Sequence, residues 1–391
     1  MTGTDVARPA VGRRAVLSVG MPVAAAIVLA QVVVVALWPD AHLLLIDLEV
    51  YRAGGERVLG GAPLYAAGVV ADLPFVYPPF AAVLFAPLAL LPLGLLKALW
   101  TAAGIGLLGY VVHRCLRALG VAPSIVLTSV LTVAATALDP VRTTLYLGQI
   151  NIVPLALVVG DVLGRRESRW RGVGVGLAAA IKLTPLVFVA YLVVTRRLRA
   201  AAVAVATFAA AAALGFLVAP ADSATFWLDG TFAAADRISD VAGSSNHSLN
   251  GLLARLIGET KAGWLVGAGV LGLVTIALAV RAHRVGQELL AVTLCGLASA
   301  ALAPFAWSHH WVWFVPLLVL LGHGAAAGAR GAGLLGAGVL AGTVAVITAL
   351  PGPGVGPLPQ TGLISLYPDV YLLLFVAVLV GSGRWLRRRV P

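Results

Sequence analysis

Ile46-Asp47-Leu48-Glu49-Val50-Tyr51 places a carboxylate and a phenol where they can act together. On a helix, Asp47 and Tyr51 share one face while Glu49 points away. A carboxylate so placed is suited to general-base work, and equally to capping the amino end of its helix. Trp307-Ser308-His309-His310-Trp311 sets two imidazoles between tryptophans. That arrangement can hold a phosphate or steer a base, although the tryptophans also fit an interfacial belt. Lys182 lies inside the apolar run Ala180-Ile181-Lys182-Leu183-Thr184-Pro185. An ammonium there is costly unless it meets a partner or a water-filled cavity, so Lys182 is expected to line a polar cavity. Gln149 and Asn151 can hydrogen-bond sugar hydroxyls or bond between helices. Arg142 can bind phosphate or pair with Asp139. The run Asn246-His247-Ser248-Leu249-Asn250 reads as a polar, turn-rich loop.

Other chemistries lack their residues. There is no phosphate-binding G-x-x-x-x-G-K-[ST] loop and no G-x-S-x-G, which argues against ATP-driven transport and serine hydrolysis. Neither His-x-x-x-His nor Asp-x-Asp occurs, so the two adjacent histidines lack a third metal ligand and metal-dependent transfer from a nucleotide sugar is disfavoured. Cys115 and Cys295 lie in or beside apolar segments and suggest no disulfide framework.

The elements that must position these residues are set by composition. Of 391 residues, 60% are hydrophobic and only 11% charged, with mean hydropathy +0.99. A soluble domain carries about 25% charged residues. The chain therefore reads as an all-α polytopic membrane protein, a single integral membrane domain over residues 1–391. Its net charge of +11 comes from basic runs at residues 113–117, 165–171, 196–199, 281–284 and 384–389. These are the pattern of cytoplasmic loops, so both termini are expected in the cytoplasm. The run from Ala15 to Trp38 reads as an uncleaved first span. Asp47 then falls in a first outer loop, residues 39–78, with a short helix from Asp47 to Gly60. Residues 221–262 form a second outer loop. About twelve crossings are expected, some of them short. Pro78–Leu93 reads as re-entrant or interfacial. Gly172–Val194 is one bilayer long yet lies between two cytoplasmic basic runs, so it must bend and return, with the break at Lys182–Pro185.

Seven segments occur in a familiar order. They are Asp47-Leu48-Glu49-Val50-Tyr51, Gly60-Gly61-Ala62-Pro63-Leu64-Tyr65, Phe75-Val76-Tyr77-Pro78-Pro79-Phe80 and Leu147-Gly148-Gln149-Ile150-Asn151. Ala180 to Pro185, Asn246 to Gly251 and Pro304 to Trp311 complete the set. The order resembles glycosyltransferase family 87, membrane enzymes of the GT-C class, over residues 15 to 385. The Asp-Leu-x-Val-Tyr and Tyr-Pro-Pro-Phe segments look most like its mycobacterial polyprenol-phosphate-mannose-dependent α-1,2-mannosyltransferases. The chain departs from the family pattern at His247, where glutamine is common.

The resemblance implies a GT-C-like fold and an inverting transfer of mannose on the periplasmic face of the plasma membrane. The donor would be polyprenyl-phosphate mannose and the acceptor a mannosyl glycolipid, a phosphatidylinositol mannoside or lipomannan. It makes Asp47 the catalytic base. Donor phosphate and sugar are expected at Lys182, His309, His310, Arg142, Gln149 and Asn151. The acceptor is expected at Tyr51, Tyr77, Asn246, Asn250 and Trp307. No metal, no cofactor and no nucleic acid is expected. Two other readings are a lipid or solute transporter, which suits broken helices with a mid-membrane lysine, and an arabinofuranosyltransferase of the same family.

Overall fold

The computed structural model describes residues 45–70, 72–164, 167–233, 239–258, 261–345 and 368–388. The expected first span, Ala15–Trp38, and residues 39–44 of the first outer loop lie outside them. Among the described residues the chain is helical apart from turns and one isolated bridge between Val70 and Leu73.

Helix α1 spans Ile46–Gly60, within the stretch expected to be the first outer loop. Its amino terminus departs from expectation. The capping position is Leu45, in the left-handed region (φ 56°, ψ 34°), and no side chain caps the helix. Asp47 is thus not the cap, and its carboxylate is left for other work. A left-handed leucine is uncommon and must be held by its surroundings. Leu45 is fully buried, and its N–H donates to the Tyr146 carbonyl at 2.8 Å. Helix α2 (Pro79–Phe85) and a 3-10 turn (Ala86–Leu90) pack beneath α1. Their approach is close at Gly55, where a Cβ would meet the Phe85 carbonyl. A buried ion pair ties α1 to the next helix, α3 (Leu93–Ala118), with Lys97 Nζ 2.7 Å from Glu49 Oε1.

Helices α4 (Ile125–Thr136) and α5 (Asp139–Leu147) bend by 81° where Pro140 interrupts the run. Helix α6 is Ile152–Val162. The apolar run from Gly172 breaks at Lys182–Pro185 into α7 (Val173–Ile181) and α8 (Leu186–Val194), with Lys182 extended at φ −149°. Gly172 lies against Ala200, near the start of α9 (Leu198–Val218), and Gly176 lies against Ala204. Helix α7 therefore leaves one end of the bundle beside α9, and α8 comes back to that end.

Next come α10 (Pro220–Trp227), a 3-10 turn at Thr231–Ala233, α11 (Leu249–Ile257), α12 (Lys261–Arg284) and α13 (Glu288–Ala301). A 3-10 turn at Ser308–Trp311 precedes α14 (Phe314–Ala326), α15 (Arg330–Ala345) and α16 (Val370–Arg387). The main core gathers α6 to α9 with α12 to α16, and a second core, rich in aromatics, sits under α1 and α2.

Helices α3, α9, α12 and α16 are long and apolar enough to cross a membrane, and the bent α4–α5 pair adds a fifth candidate. That count among the described residues is well below the twelve crossings expected. Most remaining helices have 7 to 16 residues. At 1.5 Å per residue they reach about 10–24 Å, short of the roughly 30 Å hydrocarbon layer.

Helix α5 ends at Gly148, whose φ of +73° suits glycine alone at no cost. A Cβ there would lie 2.9 Å from Leu48 Cβ and 3.1 Å from Leu45 Cβ. Gly148→Val is expected to destabilise the protein by about 1–3 kcal/mol, a branched side chain being forced into the left-handed region. A lowered thermal unfolding midpoint in detergent checks this.

Candidate active site

Five separate stretches meet at one end of the bundle. Tyr51, one turn beyond Asp47, is fully buried and stacks on Phe85 with centroids 4.7 Å apart. Its hydroxyl lies 2.9 Å from the Tyr77 hydroxyl and donates to Gln149 Oε1 at 3.0 Å. Tyr77 also donates to Gln149 Oε1 at 3.2 Å, and the Ile150 N–H donates to Tyr51 at 3.2 Å. This lattice fixes the rotation of α1, and with it the direction of Asp47. Both tyrosines use the Gln149 carbonyl, so the amide nitrogen is left facing Asp47.

Asp47 lines a cavity of about 390 Å³. Its polar wall holds Asp47, Tyr77, Gln149, Lys182, Thr184, His309 and His310. The facing wall is largely aromatic and apolar, with Phe75, Val76, Phe226, Phe232, Phe305 and Trp307. Burial pushes the Asp47 carboxyl up to about 6, against the opposing pull of the Gln149 hydrogen bond and the Lys182 charge.

Lys182 reaches the same cavity from the α7–α8 break. Its ammonium donates to Asn151 Oδ1 at 2.9 Å and sits 2.8 Å from His310 Nε2. It also lies over the Tyr77 ring, 5.7 Å from the centroid. An ammonium only donates, so Nε2 accepts and the His310 proton is assigned to Nδ1. Proline at 185 and the extended residue at 182 interrupt the helix, which is what turns the lysine into the cavity rather than along a span.

The Ser308–Trp311 turn packs against α5, with Thr144 Oγ1 donating to the His309 carbonyl at 3.4 Å. His309 stacks on Trp307, centroids 5.6 Å apart, and meets His310 edge-on at 4.8 Å. Among the described residues, both ring nitrogens of His309, Nδ1 of His310 and Nδ2 of Asn151 are buried without a hydrogen-bond partner. Buried polar groups left unpaired are costly, and such a knot of unpartnered nitrogens, most of them donors, suits a ligand rich in acceptor oxygens.

The structure brings Asp47, Tyr77, Gln149, Lys182, His309, His310 and Trp307 to the cavity, with Tyr51 and Asn151 directly behind them. Three other expected residues stand elsewhere. Arg142 is half-exposed and pairs with Asp139 at 2.9 Å, and Asp139 also accepts from Tyr371 at 2.7 Å, so this group braces α5 against α16. Asn246 is fully buried and ties its loop, donating to the Val241 carbonyl and accepting from the Ala306 N–H. Asn250 donates to the Pro304 carbonyl at 3.0 Å. Both asparagines satisfy backbone groups that a tight loop leaves open, and they hold the wall bearing Phe305 and Trp307 instead of facing the cavity. His247 bonds the Pro368 carbonyl at 2.8 Å and is likewise part of the frame.

Thr184, Phe226, Phe232 and the Glu49–Lys97 pair emerge only in three dimensions. Lys97 carried a readable signal, being one of three lysines in the chain and set in an apolar run. The aromatic wall carried none.

Membrane-capable helices, with a carboxylate and an amine lining one cavity among them, are what an integral membrane enzyme requires. The sequence model of glycosyltransferase family 87 matches residues 75–304. The chain is 37% identical over 299 residues to the polyprenol-phosphate-mannose-dependent alpha-(1-2)-phosphatidylinositol mannoside mannosyltransferase of Mycobacterium tuberculosis, covering 71% of this chain and 70% of that protein. It is also 37% identical over 312 residues to the corresponding phosphatidylinositol pentamannoside mannosyltransferase of Mycolicibacterium smegmatis, covering 76% of this chain and 74% of the relative. No solved structure matches. The chain belongs to glycosyltransferase family 87 and is a membrane glycosyltransferase.

Removing the Gln149 amide removes one of the two influences that lower the Asp47 titration. Gln149→Leu is expected to move that titration upward from about 6. Asn250→Ala, away from the carboxylate, is expected to leave it in place. Infrared difference spectra of the carboxyl band across pH, with Asp47→Asn to assign the band, check both.

Proposed function

We propose that this glycosyltransferase moves mannose from polyprenyl-phosphate mannose to a mannosylated phosphatidylinositol lipid, forming an α-1,2 linkage. The relatives' activities support the substrates, and the cavity supports the chemistry. The observation that carries the reading is the Asp47 carboxylate, alone of its kind in the lining among the described residues, sharing one cavity with Lys182 and a cluster of unsatisfied polar nitrogens.

A lipid-carried sugar cannot leave the bilayer, so its transfer must occur where the membrane meets water. In the proposed reaction the acceptor hydroxyl gives its proton to Asp47 and its oxygen attacks the anomeric carbon. The bond from that carbon to the phosphate oxygen breaks, and its electron pair leaves on the phosphate. Lys182, with His309, His310 and Asn151 around it, receives the developing charge. One displacement inverts the centre, so a β-linked donor gives an α-mannoside. Tyr51, Tyr77 and Gln149 aim the base, and Trp307 gives an apolar sugar face a surface to rest on. The leaving phosphate meets an ammonium, so the proposal requires no metal ion and no other cofactor. The basic runs at the far end of the bundle support an orientation with Asp47 on the periplasmic side and both termini in the cytoplasm. Residues 39–78 and 221–262 are then the two outer loops of a single membrane domain.

Purified protein incubated with labelled polyprenyl-phosphate mannose and a panel of phosphatidylinositol mannosides is expected to yield an α-1,2-linked product; no product with any mannosyl acceptor would refute the reading. Asp47→Asn is expected to cut turnover by about 10²–10⁴-fold. Lys182→Ala and His310→Ala are expected to weaken use of the donor by about tenfold or more.

The base works only as the carboxylate, and its titration lies at about 6. The apparent kcat/KM is therefore expected to level off above that value and to fall with acidification below it, by about tenfold per pH unit. A chelator in the assay is expected to leave the rate unchanged.

A further inference from the structure

A second cavity, about 520 Å³, lies at the end of the bundle opposite Asp47 and has no part in the reaction above. It runs between α3 and α6, which descend side by side. Its polarity is graded along its length. The deep end is apolar, walled by Leu107 of α3 and by Val153 and Leu157 of α6. One to two turns lower come the Tyr110 ring, laid across Gly160, and then Arg114, Trp170 and Arg171. Leu107 and Arg114 are separated by about 10 Å along α3.

The cationic end is built rather than incidental. Arg114 Nη2 donates to the Leu163 carbonyl at 2.6 Å, and Arg171 Nη2 donates to the Val162 carbonyl at 2.8 Å. Two guanidiniums are thus clamped at the carboxyl end of α6. Arg114 Nε stays buried without a hydrogen-bond partner among the described residues. The one carboxylate in the lining, Asp161, is turned to other donors, accepting from the Gly172 and Val175 N–H groups at 2.9 and 3.0 Å. Trp170 is exposed beside the pair, with the Arg169 guanidinium over its ring at 5.1 Å. Aromatic rings at headgroup depth with arginines beside them are what an anionic membrane surface selects.

We infer that this cavity is a binding site for one anionic phospholipid, its phosphate at Arg114 and Arg171 and an acyl chain in the slot beside Leu107 and Leu157. That the lipid belongs to the cytoplasmic leaflet rests on the orientation proposed above. The binding itself does not.

The test uses the full chain, delipidated in detergent and mixed with phosphatidylglycerol, with phosphatidylcholine, or with phosphatidylglycerol plus excess inorganic phosphate. Native mass spectrometry reads the bound lipid. One phosphatidylglycerol is expected to remain where phosphatidylcholine does not, and inorganic phosphate is not expected to displace it. Arg114→Gln is expected to weaken retention by about tenfold through the lost charge. Leu107→Trp is expected to do the same by filling the slot with the charge intact. Sugar transfer by each variant shows that it is folded, and if one fails to fold the other decides. Equal retention of both lipids, unchanged retention in the folded variants, or displacement by inorganic phosphate would overturn the assignment, the last handing the cationic end to a soluble phosphate.

Discussion

The Lys182 ammonium, set in the middle of an apolar run, is the constraint around which the site is arranged. A charge at that depth is tolerated only with partners or a polar cavity. The chain supplies both through the α7–α8 break, the Asn151 carbonyl oxygen and the His310 ring, and a cavity that Asp47 also lines. Mutual attraction between Asp47 and Lys182 offsets part of what each loses on leaving water. Neither group would keep its charge in that cavity as readily without the other.

What the pair does not satisfy is as telling as what it does. His309, His310 and Asn151 keep polar nitrogens buried and idle among the described residues. A protein selected for stability alone would fill such positions with apolar side chains, because a half-satisfied polar network is worse than none. The cost is consistent with a site that pairs fully only when a phosphate-bearing ligand is present. The aromatic residues of the same cavity suit the apolar faces of a lipid-linked sugar.

Precision at Asp47 comes from outside the carboxylate. Leu45 holds a left-handed conformation through its bond to Tyr146, Tyr51 and Tyr77 share the Gln149 oxygen, and Glu49 pins α1 to Lys97. These contacts bind α1 to α2, α3 and α5 at once. The helix is thereby a fixed bracket for the Asp47 carboxylate, as the proposed role of base requires.

Much of this was legible in the sequence, because the signals are local. Apolar composition indicates the membrane through transfer energies that each residue contributes by itself. A buried lysine before Thr184-Pro185 announces a broken helix, and Asp47 with Tyr51 announces a shared helical face. The twelve crossings were not secure on that basis, since hydropathy measures apolarity and says little about whether a run stays straight long enough to span. Arg142, Asn246 and Asn250 were expected at the ligand from the resemblance, while their own residues also allowed an Arg142–Asp139 pair and a plain turn-rich loop. In the fold their hydrogen bonds are spent on Asp139, Ala306 and Pro304. Sequence by itself determined that a carboxylate and a lysine would stand at the edge of an apolar bundle, since burial cost depends on residue type. Only the tertiary structure decided which polar groups remain free to meet a ligand, because a hydrogen bond formed with the frame is no longer available to anything else, and that competition is settled by distances across the chain.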